Sequence, residues 1–355
     1  MSGLIRVLVV DDSAFVRKVV SQMLSRSPFI DVVGTARDGN EALEMVARLN
    51  PDVVTLDLVM PGIDGLEFLR QQMKVRRVPV VICSISHESG AAALEAFELG
   101  AVEFVQKPTA LATDRVYEIS DELVAKVKAA AAARAPAEIQ PSPPAATAPM
   151  APWPVVQVPR ASLAAMSTDI VVIGVSTGGP QALRRVIPLL APDFPVPVAV
   201  VLHMPVGYTT MYAQRLNDVS QLKVVEARDG DEIVPGAMFL APAGRHLALA
   251  RGSDGEVRAR LDVRPFDTPH RPAVDVLFRS AADVFGSRVL GVVMTGMGND
   301  GLIGSAYIKA KGGRILTEAE SSCVVYGMPR AVAEAALSDR VTMLEDMAAT
   351  IGEML

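Results

Sequence analysis

The sequence predicts two doubly wound parallel α/β domains joined by a linker rich in alanine and proline. Two long stretches of the 355-residue chain alternate short apolar runs with amphipathic segments. Such alternation is typical of parallel sheets with right-handed helical crossovers. Between these stretches, 18 of the 26 residues 129–154 are alanine or proline. We therefore expect a first domain over residues 1–127, a linker over 128–165 and a second domain over 166–355.

The apolar runs and amphipathic segments locate the individual elements. In the first domain we expect strands at 5–10, 31–35, 53–57, 79–83 and 102–105, and helices near 14–26, 39–49, 65–74, 88–99 and 110–128. In the second we expect strands near 169–174, 197–202, 223–226 and 289–294, and helices near 179–190, 209–217, 274–285 and 301–311. Residues 236–262 break this alternation, and we interpret them as a β-hairpin insertion.

The linker has two parts with different expectations. Its first residues, through Ala133, are compatible with an extension of the preceding helix. Further on, Pro141, Pro143 and Pro144 exclude a helix, because proline lacks the amide hydrogen and restricts the residue before it. We expect a semi-rigid, partly extended connection there.

Composition and charge exclude several classes of function. A net charge of −6 gives no basic surface for nucleic acid. Two cysteines are too few for a disulfide framework and fit a reducing compartment. The run from Leu4 to Val10 ends at two aspartates, unlike a signal peptide, and no apolar run approaches the ~20 residues of a spanning helix. We expect a cytoplasmic protein without membrane insertion.

Acidic side chains follow two strands of the first domain. Asp11 and Asp12 come after the first strand and Asp57 ends the third, so the carboxylates should meet at the carboxyl edge of the sheet. Clustered carboxylates suit Mg²⁺, and Asp57 could form an aspartyl phosphate. Ser84 and Lys107 end two further strands and could contact a phosphoryl group. Taken singly, Asp11 or Asp12 could equally be only a helix cap, and Lys107 a surface charge.

Together these residues resemble the receiver domains of two-component response regulators. The resemblance rests on Asp11-Asp12, Asp57, the segment Met60 to Gly65, Ser84 and Lys107-Pro108, and covers residues 4–125. It implies a flavodoxin-like (βα)5 fold and phosphate transfer from a histidine kinase to Asp57. It also implies Mg²⁺ bound by Asp12 and Asp57 with help from Asp11, and a switch formed by Ser84 and Lys107.

A serine, a histidine and an aspartate follow predicted strands of the second domain. Gly174-Val175-Ser176-Thr177-Gly178 is a G-x-S-x-G sequence between a strand and a helix, where the serine hydroxyl is exposed. His203 ends the run Val198 to Leu202, and Asp300 follows the strand Val289 to Met294 through a glycine-rich loop. Serine needs a base to become a nucleophile, and a carboxylate can orient the imidazole. These residues predict a hydrolase that needs no cofactor for its ester chemistry.

Other interpretations of these residues remain at this point. The glycines around Ser176 could form a phosphate-binding turn, although their spacing is not the dinucleotide fingerprint. His203 could be a core histidine and Asp300 a helix cap. For His246 and His270, structural or surface roles are favoured. The second domain could thus be a partner-binding module with a structural serine, or a nucleotide-dependent output domain.

The C-terminal half as a whole resembles the CheB chemotaxis methylesterase family. The resemblance rests on the motifs 174–180, 203–205, 241–246, 271–275, 295–301 and 326–329. It implies hydrolysis of glutamate methyl esters on methylated chemoreceptors, deamidation of receptor glutamines, and the histidine kinase CheA as phosphodonor. Ser176, His203 and Asp300 fall on catalytic positions, and Met297 and Thr177 are the expected oxyanion donors. Ala273 stands where the family commonly has serine, which touches no member of the triad.

A regulatory hypothesis follows from joining the two halves. We expect the unphosphorylated first domain to pack near Ser176 and obstruct it. Charge at Asp57 would then reorganise Ser84 and Lys107 so that the contact loosens.

Overall fold

The computed structural model describes residues 3–84, 90–107, 115–133, 167–265 and 267–355, with the backbone alone for 115–118. Most of the expected linker, together with His87 and Pro108, lies outside the described residues. Both domains have the predicted doubly wound α/β class. Within the ranges given above, none of the helices combines the length and apolar character that crossing a bilayer requires.

The first domain is a parallel sheet of five strands with the order β2-β1-β3-β4-β5. This order is the flavodoxin-like one, in which ligands bind outside the carboxyl ends of the strands. The strands are β1 (Ile5–Val10), β2 (Ile30–Ala36), β3 (Val53–Leu56), β4 (Val80–Ser84) and β5 (Glu103–Gln106). The helices are α1 (Ala14–Leu24), α2 (Gly39–Leu49), α3 (Gly65–Val75), α4 (Gly90–Glu98) and α5 (Arg115–Ala132).

Local sequence explains where these helices begin. Ser13, Asp38 and Asp64 precede α1, α2 and α3, and each side-chain oxygen accepts a hydrogen bond from a backbone amide in the first turn. Such caps satisfy amides that have no partner within the helix. Helix α5 continues through Ala132, into the segment expected to start the linker, because its alanine run favours a helix.

The second domain contains a parallel sheet of seven strands with the order β14-β13-β12-β6-β7-β9-β8 and a separate antiparallel pair, β10 and β11. The strands are β6 (Ile170–Val175), β7 (Val198–Leu202), β8 (Lys223–Glu226), β9 (Ala237–Leu240), β10 (His246–Arg251), β11 (Val257–Asp262), β12 (Val289–Val293), β13 (Arg314–Glu318) and β14 (Arg340–Thr342). The helices are α6 (Gly179–Val186), α7 (Thr209–Val219), α8 (Val274–Phe285), α9 (Leu302–Ala310), α10 (Met328–Glu334) and α11 (Met347–Glu353).

The predicted hairpin exists, but it is shorter than the segment 236–262. Its two strands are β10 and β11, while β9 pairs in parallel with β7 and β8 in the main sheet. The sequence prediction also named no strand at β13 or β14. Arg340–Thr342 has three residues and lies at the exposed edge of the sheet, so it carries almost no apolar pattern.

The two domains pack against each other through α4 and β5 of the first and α6 and α7 of the second. A buried apolar cluster extends from one domain into the other. Within it, the rings of Phe104 and Tyr208 lie with their centroids 4.9 Å apart. This contact brings the first domain to the carboxyl edge of the second domain's sheet, where Ser176 lies.

Candidate active site and acidic pocket

Ser176 lies in the turn between β6 and α6, as the G-x-S-x-G sequence predicts. Its amide donates to Thr295 O (3.0 Å), and its carbonyl accepts from the Gly179 amide (2.7 Å). Gly178 has a φ of +77°, and an added Cβ there would lie 2.5 Å from Cβ of Val324. Only glycine fits that position without strain or a clash. The turn therefore holds the serine at a fixed place, with its side chain half-buried.

His203 occupies the neighbouring position on the adjacent strand. Val175 and Leu202 are partners in the parallel pairing of β6 and β7, and the His203 amide donates to Val175 O (3.1 Å). Ser176 and His203 each follow one of these partners. Neighbouring strands lie ~4.8 Å apart, so the two residues are side by side at the strand ends. This adjacency suits proton transfer between a hydroxyl and an imidazole.

Asp300 binds the imidazole through Nε2. The distance from His203 Nε2 to Asp300 Oδ2 is 2.9 Å, and both side chains are more than nine-tenths buried. His203 Nδ1 is buried and has no hydrogen-bond partner among the described residues. The free nitrogen is thus Nδ1, whereas the serine-protease template uses Nε2 as base and binds the carboxylate through Nδ1. An acceptor nitrogen is available for the serine proton at Nδ1.

The N-terminus of α8 holds Asp300. The Oδ2 atom of Asp300 accepts a hydrogen bond from the Val274 amide (2.7 Å), and its Oδ1 atom accepts one from the Asp275 amide (3.0 Å). Burial alone would raise the pKa of Asp300, but the hydrogen bond and charge of His203, together with these two amides, lower the pKa below its ordinary value. Asp300 therefore stays ionised, and its carboxylate both binds the imidazole and accepts from the first amides of α8.

Asp275 binds amides at the start of the next helix, α9, in the same way. Its Oδ1 accepts from the Gly301 and Gly304 amides, at 3.0 and 2.6 Å, around the start of α9. The two aspartates thus cap each other's helices. Asp275 belongs to the motif 271–275, but no role at the site was predicted for it from the sequence. An acidic residue in the first turn of a predicted helix was the available signal.

The two expected oxyanion donors border the nucleophile. Thr177 follows it directly, and Met297 lies in the loop whose Gly296 packs against Ser176. An added Cβ on Gly296 would lie 2.8 Å from Cβ of Ser176. The assignment of the Thr177 and Met297 amides as oxyanion donors stays a prediction.

His270 also reaches the site, although its sequence position indicated only a structural or surface role. Its ring stacks on that of His203, with centroids 4.1 Å apart and an interplanar angle of 26°. His246 is structural: it is buried, and its Nδ1 accepts from the Ala273 amide (3.1 Å). Nothing in the spacing of the four histidines distinguishes these roles, because the stack forms only in the folded chain.

The acidic pocket of the first domain assembles as expected. Ligand oxygens of Asp11, Asp12 and Asp57 lie within 4.8 Å of one another. Lys107 Nζ bridges two of them, at 2.7 Å from Asp11 Oδ2 and 2.6 Å from Asp57 Oδ2. Ser84 is buried beside this group, and its carbonyl accepts from the Lys107 amide (2.9 Å).

The electrostatics of this pocket fit a hard divalent cation. Burial raises the pKa of Asp57, and the nearby Asp11 charge adds to this, while Lys107 acts in the opposite direction. Two close carboxylates share one ammonium, so a cation that neutralises them would be stabilised. Three carboxylate ligands leave room for water and phosphate oxygens, which Mg²⁺ prefers.

The first domain makes polar contacts beside Ser176. Thr177 Oγ1 donates to Glu103 Oε1 (2.6 Å), and the Gly178 amide donates to Val102 O (3.4 Å). Glu103 also binds Lys126 of α5, at 3.2 Å. The turn that carries the nucleophile is therefore tied directly to the start of β5.

Further polar contacts lie along α6 and α7. Gln181 Nε2 donates to the carbonyls of Phe97 (3.0 Å) and Ala101 (2.8 Å). Glu98 of α4 accepts from Arg184 (2.8 Å) and from Arg215 (3.4 Å). The contact between the domains thus combines an apolar centre with ion pairs at its rim.

Comparisons with known proteins agree along the whole chain. The family profile described as a response regulator receiver domain matches residues 7–115, and the profile described as CheB methylesterase matches residues 171–351. A protein-glutamate methylesterase/protein-glutamine glutaminase 5 of Myxococcus xanthus is 53% identical over 98% of this chain and 97% of its own length. The Bacillus subtilis protein-glutamate methylesterase/protein-glutamine glutaminase is 40% identical over 98% of both chains.

A solved structure matches the second domain. The CheB methylesterase catalytic domain of Thermotoga maritima is 41% identical, with a TM-score of 0.52, and the match covers 53% of this chain and all of that one. The fold and the sequence motifs therefore lead to the same family.

Proposed function

This chain belongs to the CheB methylesterase family, and from that premise we propose that it hydrolyses glutamate methyl esters on chemoreceptors. The same site would deamidate receptor glutamines, as the names of the relatives indicate for those proteins. The observation that carries the proposal is the adjacency of Ser176 and His203 on paired strands, with Asp300 bound to the imidazole.

The reaction uses His203 first as base and then as acid. His203 Nδ1 accepts the proton of the Ser176 hydroxyl while Oγ attacks the ester carbonyl carbon. The tetrahedral intermediate collapses, the bond to the methoxy oxygen breaks, and His203 returns the proton so that methanol leaves. Water then adds to the acyl-enzyme by the same route and releases the free carboxylate. A glutamine substrate loses ammonia in place of methanol.

Asp300 serves this reaction by its charge and its fixed position. Its hydrogen bond to Nε2 keeps the proton on that nitrogen, so that Nδ1 remains an acceptor. The same carboxylate stabilises the imidazolium that forms in the transition state. Since helix amides hold both of its oxygens, it cannot turn away from the ring.

The receiver domain supplies the control. Phosphorylation by the histidine kinase CheA would occur at Asp57, with Asp11, Asp12 and Asp57 holding Mg²⁺. Mg²⁺ held by these carboxylates would supply positive charge to neutralise the phosphoryl oxygens. Lys107 would exchange its bond with Asp57 for one with the phosphoryl oxygen, and Ser84 would turn toward that group.

The unphosphorylated receiver would hinder the esterase site. Its β5 binds the nucleophile turn through Glu103 and Thr177, and its α4 covers α6 and α7. Since Lys107 follows β5 directly, a rearrangement at Asp57 reaches this contact over a few residues. We place the protein in the cytoplasm, where the kinase and the receptor domains are accessible.

The test is methanol release from methylated receptor membranes, measured for the wild type and for Ser176→Ala. We expect release by the wild type, an increase on adding a small phosphodonor with Mg²⁺, and no release by the variant. Asp57→Asn is the matched control, because it should keep the unstimulated rate and lose the increase. Full activity of Ser176→Ala would refute the mechanism.

A further inference from the structure

His270 covers one face of the catalytic imidazole. The rings of His270 and His203 are nearly parallel, with centroids 4.1 Å apart. At the edge of the His203 ring, Nε2 is hydrogen-bonded to Asp300. The ring of His203 is therefore constrained in two independent ways, by a hydrogen bond in its plane and by an aromatic surface against its face.

The segment that carries His270 is anchored at both of its ends. His246 Nε2 contacts Pro265 O (3.1 Å), and its Nδ1 accepts from the Ala273 amide. The carbonyl of Arg271 accepts from the Gly244 amide (3.0 Å). The segment then enters α8, whose first amides bind Asp300. One short segment thus carries both the His270 ring and the backbone amides that bind the Asp300 carboxylate.

From this geometry we propose that His270 is a positioning residue for the general base of the esterase, an inference that rests on the proposed function. The stack resists rotation of the His203 ring and so holds it in the orientation that the Asp300 hydrogen bond selects, with Nδ1 left as the acceptor. It also excludes water from one ring face. When His203 gains the serine proton, the neutral His270 ring lies against a cation, which is a favourable arrangement.

The charges around His270 keep its ring neutral. Burial, together with a smaller contribution from the neighbouring His203, lowers the pKa of His270 to about 4, while Asp300 acts in the opposite direction. From the receiver, Lys126 and Glu122 of α5 act with opposite signs. A neutral ring can stack on an imidazolium, whereas a charged one would repel it.

The experiment compares His270→Ala and His270→Phe in the full-length protein. Aromatic pairs are worth about two- to tenfold in an equilibrium or rate. We expect the alanine variant to lose about fivefold in kcat for methanol release and in the rate of Ser176 labelling by an organophosphonate. KM for the receptor should change by less than about twofold. The phenylalanine variant should recover most of the loss, because it restores the stack without a titratable group.

Each alternative outcome has a defined meaning. Wild-type kcat in His270→Ala, or equal losses in both variants, would overturn the positioning role. If His270→Ala fails to fold, His270→Gln replaces it, since glutamine has a similar length and no ring. A lower thermal stability with unchanged labelling would show a merely structural role. Failure of the wild type itself to release methanol would refute the proposed function, whereas the labelling rates of Ser176 would still test the positioning of His203 by His270.

Discussion

Gly296→Ala should damage catalysis through a direct collision with the nucleophile. Gly296 follows β12 and packs on the turn that holds Ser176. Its φ is not in the left-handed region, so alanine is acceptable to the backbone. The added methyl would lie 2.8 Å from Ser176 Cβ and 3.2 Å from its amide nitrogen, and closer still to Met328 Sδ.

The size of the effect follows from these distances. Carbon atoms rest at about 3.5–4.0 Å from each other, so the serine or the loop must move by roughly 1 Å. The serine cannot move alone, because its amide is bonded to Thr295 O. A misplacement of ~1 Å costs about 10²-fold in rate, or about 2.7 kcal/mol in the activation barrier.

Gly291→Ala, on the strand β12 that precedes Gly296, is the matched control. Its methyl would meet the outer atoms of Ile315 (2.6 Å), Ile308 (3.0 Å) and Phe278 (3.3 Å), far from the nucleophile. We expect it to lose about 1–3 kcal/mol of stability by overpacking, with kcat for methanol release within about threefold of the wild type. Wild-type kcat in Gly296→Ala, or equal losses of kcat in the two folded variants, would show that the added methyl does not displace the nucleophile.

Four further predictions concern Asp300, the interdomain contact, the acidic pocket and the dependence of stability on pH. Asp300→Asn should reduce kcat about 10³- to 10⁴-fold with little change in thermal unfolding, because asparagine still caps α8 but no longer stabilises the imidazolium; a kcat near the wild type would contradict it. Glu103→Ala should raise unphosphorylated turnover about threefold, since it frees Thr177 from the receiver, and an unchanged rate would argue against obstruction there. Lys107→Met leaves two buried carboxylates without their ammonium partner, so it should lower the unfolding temperature in the absence of Mg²⁺. Adding MgCl₂ should then raise the unfolding temperature of the variant more than that of the wild type. Equal increases would count against the Mg²⁺ site. Because the pKa of His270 falls from 6.5 to about 4 on folding, the unfolded chain binds more protons between these values, and stability rises with pH across that window. In His270→Phe, the midpoint of urea unfolding should therefore rise less steeply with pH than in the wild type. The lowered pKa of His246 accounts for part of the pH dependence that remains.

The sequence was informative wherever function depends on strand ends. Ser176 and His203 each follow a buried strand of the second domain, and Asp57 follows a buried strand of the first. The rule that parallel strands present their carboxyl ends at one edge therefore predicts Ser176 beside His203, and Asp57 at the corresponding edge of its own sheet. The local turn at Gly178 was also predictable, because the strand–turn–helix sequence requires small residues there.

Features that depend on long-range pairing could not be predicted in the same way. β9 has the short apolar pattern of a hairpin strand, and only its pairing with β7 and β8 shows that it belongs to the main sheet. The choice of Nε2 for Asp300 depends on where α8 begins relative to the imidazole. The stack of His270 and the Glu103–Thr177 bond join residues far apart in sequence, with no local pattern to indicate either contact.

The central claim is that one hydroxyl on the rim of the second sheet carries the acyl group. Peptide mass mapping after treatment with a fluorophosphonate tests this most directly, since the reagent modifies an activated serine covalently. We expect a single modified serine, Ser176, with labelling slowed at least a hundredfold in His203→Ala. Modification of a different serine, or an equal labelling rate in the histidine variant, would contradict it.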